Sequence, residues 1–252
     1  MSAILEIQHL VKRFGGISAI NHCNFEIAEN SITSLIGPNG AGKTTMFDTI
    51  TGMLKHDAGE IYFRSKPIGN LPPYKRANLG IVRTFQLIRV FPELTALENI
   101  LLALRGNQEG LLDIFKPLKK TQKKLREKAF DFLHMINLHE KAHIAAGSLS
   151  YGQQKLLEII RAVATDSDLF LFDEPAAGVN RTMLHSITNI IKRLKSEGKT
   201  VVIVEHDMNF VMNLSDKIIV MDYGKEIAEG TPGEIQNNPK VLEAYLGVKH
   251  TK

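Results

Sequence analysis

Between residues 4 and 9 the chain alternates in strand fashion, with Ile4, Glu6 and Gln8 interleaving with Leu5, Ile7 and His9. Residues 19–27 predict a second strand and the β-favouring run 32–36 a third. Glu60-Ile61-Tyr62-Phe63 and the turn-rich segment ending at Pro72-Pro73 predict a short hairpin. From about Leu97 to Thr165 the period becomes helical. Leu97, Ile100, Leu101 and Leu104 form one stripe, Phe130, Leu133 and Ile136 a second, and Leu156, Leu157, Ile160, Val163 and Ala164 a third. Strand character returns in the continuous apolar runs 169–172 and 201–204, the pattern of parallel strands covered on both faces. A helical stretch over 183–196 joins them as a crossover. A closing hairpin is predicted over 217–228 with its turn at Asp222-Tyr223-Gly224-Lys225, and a short helix follows in the tail.

The run 32–36 leads into Gly37-Pro38-Asn39-Gly40-Ala41-Gly42-Lys43-Thr44-Thr45, which contains the full phosphate-loop pattern G-x-x-x-x-G-K-[ST], and 45–50 reads as a helix. That strand–loop–helix context is what gives the pattern meaning. Glycines let backbone N–H groups curl around phosphate oxygens, Lys43 supplies a cation for the outer phosphates, and Thr44 offers a hydroxyl to Mg²⁺. The helix N-terminus adds the positive end of its dipole. Binding of a nucleoside triphosphate is the expected chemistry.

A second site follows the apolar run 169–172, which ends in Asp173-Glu174-Pro175. Acids at the carboxyl end of a buried parallel strand lie where such sheets bind ligands. Asp173 is the natural Mg²⁺ partner of Thr44, and Glu174 is poised to take a proton from an attacking water. Upstream, in Leu149-Ser150-Tyr151-Gly152-Gln153-Gln154, Ser150 is placed to cap a helix beginning near Gln153.

Composition narrows the class. The 252 residues suffice to bury a proper core, and 44% hydrophobic with 23% charged residues is ordinary for a globular protein. The formal charge of +4 is too mild to argue for nucleic acid. Lys116, Lys119, Lys120, Lys123, Lys124, Arg126 and Lys128 cluster in one stretch, either a solvated helix face or a contact for anionic headgroups or an acidic partner. Cys23 is the only cysteine, which excludes an internal disulfide. Without a signal-type leader or an apolar run of about 18 residues, the expectation is a cytoplasmic chain whose membrane association comes through a partner.

Taken in order, these pieces resemble the ATP-binding subunit of an ABC transporter, over nearly the whole chain. The likeness implies that Phe14 stacks on adenine, that Gly37 to Thr45 is the Walker A loop, and that Gln86, ending Ile81-Val82-Arg83-Thr84-Phe85-Gln86, senses Mg²⁺ and water. It implies further that Ser150, Tyr151, Gly152 and Gln153 belong to the signature, with Tyr151 replacing its first glycine. Asp173 and Glu174 become Walker B and the catalytic base, and His206 in Val204-Glu205-His206-Asp207 the switch histidine. Within the superfamily, 82–86, 149–154, 173–180 and the ending 235–247 are most similar to the ATPases of branched-chain amino acid importers, with Arg181 where proline is usual. Urea or amide importers and lipopolysaccharide export remain as related readings. Two rivals of other classes are a soluble non-transport ABC ATPase and a phosphoryl-transferring kinase, neither of which the full set of motifs favours.

The implied architecture is a single α/β P-loop NTPase (RecA-like) domain. Residues 1–86 and 166–235 would form the nucleotide-binding core with an N-terminal antiparallel β-subdomain, 87–165 an inserted helical subdomain, and 236–252 a tail. The implied cofactors are ATP and Mg²⁺. The implied partners are a second ABC ATPase, identical or a sister subunit, paired head-to-tail, transmembrane permease subunits and, indirectly, a solute-binding protein. The apolar loop of Leu87, Ile88, Val90 and Phe91 is the expected dock for the permease.

Overall fold

The computed structural model describes residues 2–84, 88–105 and 120–246, the side chains of 120–122 and 246 excepted. Strands β1 (Ala3–Phe14), β2 (Ile17–Ala28), β4 (Ala58–Phe63) and β5 (Lys66–Pro67) form an antiparallel sheet of order β2-β1-β4-β5. A six-stranded sheet is built from β3 (Ile32–Ile36), β6 (Ile81–Arg83), β7 (Leu169–Asp173), β8 (Thr200–Val204), β9 (Lys217–Asp222) and β10 (Lys225–Gly230), in the order β10-β9-β3-β8-β7-β6. All its pairings are parallel except that of the β9–β10 hairpin. The chain is an α/β P-loop NTPase fold carrying an antiparallel sheet.

The apolar runs face both ways, as their lack of alternation requires. Leu169 and Leu171 pack with Val202, Val204 and Leu35 against Met46, Phe47 and Ile50 of α1 (Lys43–Ile50) and against the antiparallel sheet. Phe170 and Phe172, with Val201 and Ile203, face the other way. There they meet α5 (Tyr151–Ala164) and α6 (Arg181–Ser196), beyond which α3 (Ala96–Arg105) and α4 (Lys120–Met135) continue the same core. Residues i and i+1 of a strand thus serve two different cores.

Three short helices were not anticipated: α2 (Pro73–Asn78), α7 (Met208–Leu214) and α8 (Pro232–Gln236). Each is too short to show a helical period. The tail helix is α9 (Pro239–Leu246), and the predicted strands all form, β1 running on from the alternating residues to Phe14. Helix α6 starts at Arg181, with Asn180 as its cap accepting from the Met183 N–H at 2.9 Å. The first helical N–H needs no intrahelical partner, so arginine serves where proline is usual.

Helix α1 is held at its far end by α2. Arg76, only 2% exposed, donates from Nη1 to the carbonyls of Thr49 (2.7 Å) and Ile50 (2.8 Å), from Nη2 to Gly69 (2.8 Å) and from Nε to Leu71 (2.9 Å). Burial pushes its guanidinium down to about 10. The cation satisfies the last carbonyls of α1, where the helix dipole is negative. Arg76→Met should therefore lower unfolding free energy by about 3 kcal/mol, since four carbonyls, three of them in buried bonds, lose their donor. Urea unfolding followed by circular dichroism measures it.

Candidate functional site

Four neighbouring parallel strands, β3, β8, β7 and β6, end on the same edge of the sheet. From β3 the chain enters the phosphate loop. Gly37, Gly40 and Gly42 have φ of 150°, 82° and 102°. A Cβ at Gly37 would stand 2.0 Å from the Met221 carbonyl oxygen, and one at Gly42 would stand 2.2 Å from that of Ala19. The loop therefore curls so closely on β9 and β2 that glycine is required at both. Pro38 is half-buried, Asn39 and Gly40 are exposed, and Ala41 is buried beneath them. Gly42 is the cap residue of α1 and brings no side chain to it, so the first N–H groups have no cap ligand of that kind.

Lys43 lies folded along the loop, donating to the carbonyls of Gly37 (2.7 Å) and Pro38 (3.0 Å). Burial pushes its ammonium pKa down, and the nearby carboxylates of Glu174 and Asp173 act against that. Thr44 is exposed at the start of the helix and Thr45 half-buried. Helix α9 joins the end of β3 through an apolar cluster that contains Val241 and Ile36, and it carries Tyr245. Burial pushes that phenol up to about 12, although 39% of the residue stays exposed.

At the end of β7, Asp173 is buried and accepts from Arg83 Nη2 at 2.8 Å, while Arg83 Nη1 reaches Asp48 of α1. Glu174 follows with φ of 48°, an uncommon conformation for a residue with a Cβ, and its N–H is fixed on the Val204 carbonyl at 2.9 Å. Its Oε1 lies 3.2 Å from Nε2 of His206, which leaves β8 two residues after Val204. The carboxylate and the imidazole are therefore in hydrogen-bond reach of each other.

Ser150 caps α5 in a reciprocal box: its Oγ accepts from the Gln153 N–H at 3.4 Å, and Gln153 Oε1 accepts from the Ser150 N–H at 3.2 Å. The helix begins at Tyr151, two residues before the expected start. Tyr151 is exposed, and its ring covers Gly178, where a Cβ would meet Tyr151 Cε1 at 2.8 Å. A Cβ on Gly152 would collide with Met183 Sδ at 2.4 Å. The signature thus packs on the start of α6 and on the loop that follows Glu174. Phe14 ends β1 with 49% of its surface open and the Lys12 ammonium 5.4 Å from its ring centre. Gln86 lies outside the described residues, as do Leu87, Lys116 and Lys119.

The donor set suits a magnesium nucleotide. Thr44 and Asp173 offer hard oxygens, and among the described residues no cluster of three His, Cys, Asp or Glu side chains could hold a metal alone. Magnesium in nucleotide sites is bound in that way, by one or two protein oxygens together with substrate phosphates.

Residues 20–177 match the model of the ABC transporter family. The chain belongs to the ATP-binding proteins of ABC transporters. These are ATPases, and residues 225–251 match a further model, the branched-chain amino acid ATP-binding cassette transporter. The chain is 43% identical over 249 residues to the high-affinity branched-chain amino acid transport ATP-binding protein BraF of Pseudomonas aeruginosa, covering 97% of this chain and 98% of that one. It is similar in structure to the ADP conformation of MJ1267, an ATP-binding cassette of an ABC transporter, with a TM-score of 0.84, 38% identity, and coverage of 98% of this chain and 100% of that one. The MJ0796 cassette, solved as a dimer bound to ADP and Pi in a post-hydrolysis state, has a TM-score of 0.78 at 28% identity, covering 90% of this chain and 98% of that one.

Sequence reasoning on this cassette missed Arg83 as the partner of Asp173 and Asp48, and Glu205 as the acceptor of the Ala176 and His206 N–H groups. Both stand inside the quoted motifs, but a buried charge in an apolar strand end was the only signal available. The close approaches of the loop separate two kinds of glycine. Gly42→Ala should yield unfolded protein or cost more than about 3 kcal/mol, because its φ and a backbone carbonyl both exclude a Cβ. Gly40→Ala, with open space around it, should cost only about 1–2 kcal/mol of backbone strain. Thermal unfolding of the two variants compares them directly.

Proposed function

We propose that this chain is the ATP-hydrolysing subunit of an importer of branched-chain amino acids, peripheral on the inner face of the cell membrane. The observation that carries the chemistry is the convergence of Lys43, Asp173, Glu174 and His206 at one sheet edge. The match of residues 225–251 supports the substrate class. ATP lies along the loop from Gly37 to Thr45, its adenine on Phe14. Lys43 exchanges its two carbonyl partners for phosphate oxygens, a charge-assisted contact that suits a desolvated ammonium. Thr44 and Asp173, with Gln86, would hold Mg²⁺, whose chemistry would be to draw charge from the phosphate oxygens. Glu174 accepts a proton from the water that attacks the γ-phosphorus. The bond from that phosphorus to the bridging oxygen breaks, giving ADP and phosphate. His206 holds the Glu174 carboxylate and the γ-phosphate side of the site.

Ser150, Tyr151, Gly152 and Gln153 serve the ATP of a second cassette. Ser150 is exposed, and the positive dipole end of the helix it caps favours an anion. Each ATP of a head-to-tail pair then joins two chains and favours closure, and hydrolysis removes that preference. The division at residues 86 and 166 into a nucleotide-binding core and a helical subdomain gives the two bodies that closure moves. The second cassette is a copy or a sister subunit. Permease subunits receive the movement, and a solute-binding protein delivers the amino acid to them.

Two substitutions separate binding from chemistry. Lys43→Ala should weaken ATP binding strongly, read by equilibrium titration with labelled nucleotide; an unchanged Kd rejects the phosphate-loop assignment. Glu174→Gln should bind ATP normally, slow hydrolysis about 10²-fold or more and accumulate ATP-bound dimers. Turnover and light scattering report on it, and near-normal turnover removes Glu174 as the base.

No helix among the described residues is long and apolar enough to cross a membrane, and the dock is the loop before α3. Its form is set by Asn99, fully buried, which accepts from the Phe91 N–H at 2.9 Å and donates to the carbonyls of Phe91, Leu94 and Thr95. Phe91 is 45% exposed, with the Arg161 guanidinium 4.8 Å from its ring centre. Ile88 is half-buried, whereas Val90 also packs on the helical core. Ile88→Asp with Phe91→Asp should therefore release the chain from vesicles carrying its permease and leave ATP binding intact. Undiminished co-sedimentation moves the dock to the exposed lysines of α4.

A further inference from the structure

Glu205 immediately follows β8 and is 3% exposed. Burial pushes its carboxyl pKa up, the Glu174 charge adds to that, and three backbone N–H bonds act against both. Its Oε1 accepts from the Ala176 N–H at 2.6 Å, and its Oε2 from the N–H of His206 at 3.0 Å, with the Asp207 N–H at 3.5 Å. The first donor belongs to the loop that leaves Glu174 and the others to the loop that carries His206. Three donors from two loops converge on one buried side chain, and only an acceptor-only group satisfies them all. A glutamine would turn an NH₂ donor toward one of them.

Glu174 occupies the left-handed region, a conformation that persists only where the surroundings impose it. Before it, its own N–H is bonded to Val204. After it, the Ala176 N–H is bonded to Glu205. The residue with the uncommon φ is thus secured on both sides by the end of β8.

We infer that Glu205 is a positioning residue whose carboxylate clamps the Glu174 loop to the His206 loop and so fixes the 3.2 Å contact between the two side chains. The inference rests on the reading of Glu174 and His206 as the hydrolytic pair. Its mechanical content is specific. When one buried carboxylate serves both loops, neither can shift without breaking a hydrogen bond to it, so the Glu174 carboxylate and the His206 imidazole hold their spacing.

The test uses the full chain with saturating magnesium ATP. Glu205→Gln, nearly isosteric, should lower kcat about 10- to 100-fold, the effect of misplacing a catalytic group by about 1 Å. The Kd of trinitrophenyl-ATP should stay within about twofold, since the phosphate loop is untouched. In a Glu174→Gln background, single-turnover hydrolysis of radiolabelled ATP should fall by no more than about twofold further, because the group that Glu205 positions is already gone. A normal kcat, a loss of nucleotide affinity that accounts for the lost turnover, or full additivity with Glu174→Gln overturns the inference. If Glu174→Gln alone leaves turnover intact, the reading of the hydrolytic pair fails, and this inference with it. If Glu174→Gln is slow and Glu205→Gln is normal, only the positioning role fails. Glu205→Asp, which keeps the charge and both oxygens but loses reach, takes the place of a glutamine variant that does not fold, with the same outcomes.

Discussion

Parallel pairing of β3, β8, β7 and β6 is the constraint on which the site depends. The ladder matches Leu35 with Val204, Val204 with Asp173, and Arg83 with Leu171. Hydrogen bonding and two-sided burial fix that register, because a slip by one residue would exchange the two faces of every strand. The phosphate loop begins at Gly37, two residues beyond Leu35, while Glu174 follows Asp173 and Glu205 follows Val204. Backbone hydrogen bonds far from any phosphate therefore decide which side chains share the edge.

That edge concentrates charge in little water. Lys43, Asp173, Arg83 and Glu205 are buried or nearly so, and each is matched by a partner rather than left alone. Arg83 ties Asp173 to Asp48 on α1, so the acid at the end of β7 and the helix behind the phosphate loop are held by one guanidinium. Lys43 rests on carbonyls, weaker partners than phosphate oxygens for a cation. The arrangement holds its groups in place and keeps the Lys43 ammonium on exchangeable ligands.

A mechanical path leaves the edge through the loop after Glu174. Tyr151 covers Gly178 and Gly152 meets Met183, so the start of α5 and the start of α6 are packed together. Helix α5 also carries Arg161, over Phe91 and bonded to the Arg89 carbonyl, which joins it to the loop before α3. Contacts of this kind link the acid at the end of β7 to the surface proposed to meet a permease.

Much of this was legible in the chain. Alternation, continuous apolar runs and period-3.6 stripes located the long strands and helices. The phosphate loop and the Asp173-Glu174 pair stood out because their chemistry is local to a few residues, Ser150 showed only as a helix cap, and His206 came only with the family resemblance. The short helices α2, α7 and α8 did not stand out, since one or two turns carry no period. Arg83 meeting Asp173, Glu205 joining the Ala176 and His206 loops, and Tyr151 lying on Gly178 were decided only by the tertiary structure. The physical reason is the strand order. In β3-β8-β7-β6 only β7 and β8 follow one another along the chain; β3 and β8, and β7 and β6, are far apart, and their adjacency follows from the sum of buried surface and ladder hydrogen bonds, to which no local pattern of residues gives access.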